Sequence, residues 1–181
     1  QNKEALTVSD LTDVVFAQHG KSLKSDNFGL RCAILLKDMG YKLVWLGIKQ
    51  GYIKYDEGVC FLSRLPIEAV DFFRISKCND YNNWKKRMTL GIKVGGRWFY
   101  NVHIGRWDDQ EEPFSDQWAI LDNELKVFDD VWIMGDFNAP DDLKDEGYNR
   151  ILKSGWFDAY KLAQEKDNGF YRAVIHGVVD L

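Results

Sequence analysis

Proline, histidine and cysteine are all scarce in this chain, three residues of each. So few prolines, with no repeats or biased tracts, exclude a proline-rich linker or low-complexity scaffold. Cys32, Cys60 and Cys78 stand at wide, irregular intervals. With only three histidines they match neither a zinc pattern nor a disulfide framework. Cys32 and Cys60 sit in apolar contexts and read as core thiols, which suits a reducing, cytoplasmic setting. No apolar run approaches the roughly 20 residues that a membrane helix needs, so no membrane partner is expected. Charge of one sign is lacking too: 24 basic residues face 28 acidic ones, for a net charge of −4. That balance supplies no general basic field for a nucleic acid, although a local patch can still bind one.

What is present is a globular composition, 45% hydrophobic and 14% aromatic with seven tryptophans. A chain of 181 residues can bury a real core as one domain. It opens on Gln1 and finishes in the strand-like run Val178-Val179-Asp180-Leu181. The expectation is a single domain over residues 1–181, incomplete at both ends.

Ser25-Asp26-Asn27 offers N-cap residues to a helix carrying Phe28, Leu30, Ile34, Leu35 and Met39, stopped by Gly40. Lys42 to Ile48 reads as a strand, followed by a Gly/Tyr/Lys-rich loop and a strand over Val59 to Ser63, with another from Ala69 to Ile75. Met88 to Val94 and Arg97 to Ile104 flank Gly95-Gly96, the signal for a hairpin with a mirror-image turn. Phe114, Trp118, Leu121, Leu125 and Phe128 recur at helical spacing, and Phe114 with Trp118 can form a hydrophobic staple. Leu143 to Lys153 predicts a helix ending near Gly155, and Phe157 to Gln164 another. Hairpins outnumber βαβ crossovers, which predicts an α+β fold with mainly antiparallel sheets.

The chemistry concentrates at strand ends. Val131-Trp132-Ile133-Met134 reads as a buried strand running straight into Gly135-Asp136-Phe137-Asn138. A carboxylate and a carboxamide two residues apart can face one site, to bind a divalent cation, polarise water or hold a phosphate oxygen. The same tetrapeptide also fits a strand followed by an Asx turn. Glu57 precedes the strand Val59 to Ser63 and can orient a histidine or pair with a cation; taken singly it reads as a solvated loop carboxylate. His103 ends the second hairpin strand, where a histidine is more often a satisfied core or surface group. Arg87 opens the first hairpin strand from the cluster Lys85-Lys86-Arg87, either as a solvated terminus or as a clamp for phosphate.

Three separated stretches carry a resemblance. Glu57-Gly58-Val59-Cys60-Phe61-Leu62-Ser63-Arg64-Leu65-Pro66-Ile67, Asn101-Val102-His103-Ile104-Gly105 and Ile133-Met134-Gly135-Asp136-Phe137-Asn138 occur in the order and spacing of the endonuclease/exonuclease/phosphatase superfamily. This group includes pancreatic-type deoxyribonuclease. The stretches Tyr52 to Gly58 and Trp107 to Trp118 look closest to bacterial members, some of them sugar-phosphate phosphatases.

The resemblance implies a four-layer α/β/β/α sandwich and phosphoester hydrolysis dependent on Mg²⁺ or Mn²⁺, with water attacking phosphorus in line. Asp136 would position or deprotonate the water, and Asn138 would hold the phosphate or, with Asp136, the metal. His103 would hydrogen-bond a phosphate oxygen with Glu57 behind it, and Arg87 would contact the phosphate. The resemblance also implies an N-terminal strand followed by a Gln-Glu motif bearing the main metal ligand, and a closing segment bearing a second histidine. Neither is recognisable in the sequence, and His176 lacks the aspartate that should precede it. The expected function is a phosphoesterase acting on a small phosphorylated metabolite such as a sugar phosphate. The alternatives are a nuclease, a catalytically incomplete binding fragment, or a sugar- or peptide-binding domain using Trp98, Trp107 and Trp118.

Overall fold

Two sheets are built from runs of β-branched and aromatic residues punctuated by turn residues. A computed structural model describes residues 14–16 (backbone alone), 23–140 and 146–165. Strands β1 (Val14–Phe16), β2 (Lys42–Gly51) and β3 (Tyr55–Ser63) form one sheet in that order. The other has the order β4 (Ala69–Arg74), β5 (Met88–Val94), β6 (Arg97–His103) and β7 (Val131–Asp136). The pairs β2–β3, β4–β5 and β5–β6 are antiparallel and β1–β2 is parallel. Trp98 N donates to Asp130 O and Ile104 N to Asp136 O, a constant offset, so β6 and β7 also run parallel. The helices are α1 (Phe28–Leu35), α2 (Phe114–Leu125), α3 (Gly147–Lys153) and α4 (Ala159–Leu162). The fold is thus α+β with two mainly antiparallel sheets. Among the described residues no helix is long and apolar enough to cross a membrane.

The chain divides into two compact units. One runs through Val102 and takes in Phe128–Gly135; the other comprises His103–Val127 and the residues from Asp136 onward. In the first unit the sheets meet face to face over Val44, Leu46, Ile48, Val59, Met88, Leu90, Ile92 and Val94. Asn101 Nδ2 also donates across to Cys60 O at 2.9 Å. Helix α1 covers the other face of the first sheet, burying Leu30 and Ala33 with Leu23, Leu43 and Trp45. Asn27 caps this helix, its Oδ1 accepting from Leu30 N at 3.0 Å. In the second unit Phe114, Trp118, Leu121 and Leu125 form the buried stripe of α2. Phe114 and Trp118 stack with centroids 6.2 Å apart, but the helix is capped at Pro113 and already includes Phe114, so the pair is an i,i+4 contact within α2 and not the expected staple.

Several sequence expectations need correction. Helix α1 ends at Leu35, with a 3-10 turn over Lys37–Met39 before Gly40. Its inner face is Gly29, Leu30 and Ala33, because small residues let it lie close to the sheet; Phe28, Ile34, Leu35 and Met39 face solvent. The loop expected after Ile48 is a tight hairpin turn at Tyr52-Ile53, so Glu57 lies within β3 and not at its mouth. Among the described residues β7 is the edge of its sheet, and Trp132 and Met134 are exposed instead of buried. Cys32 and Cys60 are only partly buried, and none of the three cysteines is in a disulfide. Strand β1 has no counterpart in the sequence reading. Helix α3 begins at Gly147; residues 143–145 of the expected helix, His176 and the terminal run 178–181 lie outside the described residues.

Gly58 shows how the Glu-Gly pair fits its strand. A bulge between Gly47 and Lys49 brings the backbone of β2 against β3 there. A Cβ at residue 58 would lie 1.9 Å from Leu46 O. Gly58→Ala should therefore lower unfolding stability by about 1–3 kcal/mol, read as a reduced urea midpoint at unchanged slope.

Candidate functional site

The Gly-Asp-Phe-Asn segment is shaped first by its glycine. Gly135 has φ +123, and a Cβ there would stand 2.1 Å from Val102 O, so β7 can approach β6 this closely only with glycine. Asp136 Oδ1 then accepts from Asn138 N at 2.8 Å, an Asx turn. Asn138 takes φ 47, a left-handed conformation that asparagine tolerates. Its Nδ2 donates to Ile104 O at 2.9 Å, while Ile104 N donates to Asp136 O at 2.9 Å. The next residue, Gly105, donates its N–H to Gln117 Oε1 at 2.8 Å, tying this segment to α2.

His103 thereby comes beside Asp136, Nε2 to Oδ2 at 3.6 Å, with both side chains about two-fifths exposed. The turn reading and the site reading of this motif therefore coexist. One carboxylate oxygen closes the turn, and the other faces an imidazole that solvent can reach. Such a pair can hold a water, pass a proton and hydrogen-bond an oxyanion.

Glu57 and Arg87 belong to the first unit, and each has partners there. Glu57 Oε1 pairs with the buried Lys49 Nζ at 3.0 Å, directly across the β2–β3 ladder. Lys49 Nζ also donates to Trp84 O at 2.8 Å. Burial holds the Lys49 ammonium below the usual lysine range, Arg87 adds to that, and the hydrogen bond to Glu57 opposes it. Arg87 is buried, and its Nη1 donates to Trp84 O at 2.6 Å and to Lys86 O at 3.3 Å. The guanidinium thus fastens the loop before β5. Of the tryptophans considered for ligand binding, Trp118 is buried with its Nε1 donating to Ser154 Oγ, and Trp98 stacks on Tyr100 and Phe128.

Asp136 and Asn138 supply one carboxylate and one carboxamide, hard oxygen donors of the kind Mg²⁺ takes while keeping several waters. Among the described residues no group of three or more His, Cys, Asp or Glu side chains is placed to hold a metal. The two side chains are of the donor type that suits Mg²⁺. A further signal went unread in the sequence. Strand β1 is followed in sequence by Ala17-Gln18-His19, so a Gln-His pair stands where the resemblance implies Gln-Glu after an N-terminal strand. Those residues lie outside the described ones.

The turn separates two roles of Asp136. Asp136→Asn keeps an oxygen for Asn138 N, so its stability should stay within about 0.5 kcal/mol of the parent. Asp136→Ala removes the acceptor and should cost about 1 kcal/mol. Paired urea melts read the difference.

No protein-family model and no curated protein sequence matches the chain. Solved structures do. An endonuclease/exonuclease/phosphatase family protein from Leptotrichia buccalis superposes with a TM-score of 0.72 at 24% identity over 88% of this chain. A 3′-5′ exonuclease from Neisseria meningitidis superposes with a TM-score of 0.54 at 21% identity over 84% of this chain. The chain spans 64% and 66% of the lengths of those two proteins, under two thirds of each. The fold of this chain is that of the endonuclease/exonuclease/phosphatase proteins.

Proposed function

We propose that the chain carries the site of a phosphoesterase that hydrolyses a small phosphorylated metabolite, such as a sugar phosphate. The observation that supports this most is the placement of His103, Asp136 and Asn138 together by the parallel ends of β6 and β7. In this reading Asp136 orients the attacking water and takes its proton as the new O–P bond forms. His103 donates a hydrogen bond to a non-bridging phosphate oxygen, where charge builds up in the transition state. Asn138, fixed by Ile104 O, offers its remaining carboxamide oxygen beside them. The P–O ester bond breaks, and the leaving alkoxide takes a proton from solvent. Mg²⁺ or Mn²⁺, when bound, would neutralise phosphate charge from the Asp136 and Asn138 oxygens. Glu57 and Arg87 remain part of the proposal through the resemblance alone, as orienting carboxylate and phosphate contact. A net charge of −4 favours a small substrate over long nucleic acid, and three cysteines outside any disulfide favour a reducing cytoplasm.

The test is phosphate release from a panel of sugar phosphates and nucleotides, with a nicking assay on plasmid, in Mg²⁺ and in EDTA. Asp136→Asn should lower the rate about 10²–10⁴-fold, and His103→Ala about 10²–10³-fold, both with the fold retained. Plasmid nicking without release from any small ester would replace the phosphatase reading with a nuclease. Hydrolysis unaffected by both substitutions would place the chemistry elsewhere.

A further inference from the structure

The first unit contains a pocket of about 420 Å³ between the start of α1 and the β2–β3 hairpin. Its volume falls in the roughly 300–1,000 Å³ range of small-ligand sites. Three aromatic residues line it: Trp45 is buried, whereas Phe28 and Tyr55 are 81% and 50% exposed. Neither exposure follows from core packing: α1 buries Gly29, Leu30 and Ala33 instead, and Tyr55 begins β3 outside the core between the sheets.

The polar lining is as specific as the apolar one. Asp26, Asp56 and Glu57 contribute three carboxylates, and Lys24 and Lys54 two ammonium groups. Several of these are already positioned. Asp56 holds both Lys24 Nζ and the Tyr81 hydroxyl. Burial, then the carboxylate, push the Tyr81 phenol above its usual range, so it stays a donor. Lys54 Nζ lies 5.3 Å from the centroid of the Tyr55 ring. The turn that carries this end of the hairpin is strained. Tyr52 and Ile53 take φ 49 and 59, and both are more than nine-tenths exposed. A left-handed conformation costs a bulky residue about 1–2 kcal/mol, and strain of this kind gathers at ligand clamps.

We propose that this pocket binds a sugar ring. A sugar presents a C–H face that packs on aromatic rings and a rim of hydroxyls that both donate and accept. Exposed rings combined with carboxylates and ammonium groups match both surfaces. Three carboxylates against two ammonium groups disfavour a polyanion, and five charged side chains disfavour an acyl chain. The binding of the ring does not depend on the phosphoesterase reading.

The test separates the two. Unphosphorylated D-glucose, D-mannose and methyl α-D-glucopyranoside, with adenosine as comparison, are titrated into the 181-residue chain and followed by saturation-transfer NMR. Saturable binding of at least one sugar is expected. Phe28→Ala and Tyr55→Ala should each weaken it roughly 3- to 10-fold with unchanged melting, since both side chains are exposed. Leu35→Ala, exposed on α1 but outside the pocket lining, should leave binding unchanged. Absence of saturable sugar binding, sugar binding indifferent to both pocket substitutions, or adenosine binding more tightly than every sugar through the same residues overturns the proposal. Phosphate release is assayed in parallel. Sugar binding without any Asp136-dependent hydrolysis sinks the phosphoesterase reading and leaves the pocket standing; hydrolysis without sugar binding does the reverse.

Discussion

The approach of β7 to β6 at Gly135 is the constraint on which the candidate site depends. With φ +123 and no room for a Cβ beside Val102 O, residue 135 must be glycine for the two strands to run parallel at this distance. Once they do, Ile104 N meets Asp136 O, and Asn138 can reach Ile104 O. His103 and Asp136 are then neighbours because they end adjacent strands of one sheet, although 32 residues (104–135) lie between them in sequence. A larger residue at 135 would disturb both strand ends together.

A second close approach organises the first unit. At Gly58 the bulged backbone of β2 presses on β3, and the register on either side of the bulge is what sets Glu57 opposite Lys49. A buried ammonium needs a counter-charge or hydrogen-bond acceptors. Glu57 and the carbonyl of Trp84 supply both. The same carbonyl receives Arg87, so two cations and one carboxylate share a small region. Glu57 therefore has a structural task whatever else it does, and its substitution would disturb Lys49 as well as any ligand. The stretch of β3 that begins at Tyr55 continues into the wall of the pocket beside α1.

The sequence alone determined a good deal. Gly95-Gly96 at the β5–β6 turn, the stripe of α2 and the contact of Phe114 with Trp118 were legible because they rest on local rules: a turn needing positive φ, and a helical repeat. His103, Asp136 and Asn138 were legible as candidates because polar residues ending apolar runs announce strand ends. Tertiary structure decided the rest. The exposure of Phe28, Ile34 and Leu35 followed from small residues on the opposite side of α1 packing on the sheet, which hydrophobic periodicity cannot foresee. The Tyr52-Ile53 turn was hidden because bulky residues at positive φ break the rule used to find turns, and only strand pairing holds them there. Strand β1, three residues long, is too short to show a period, and its pairing with β2 defines it. Distances between side chains depend on register and close approach, and these arise only when strands distant in sequence pack together.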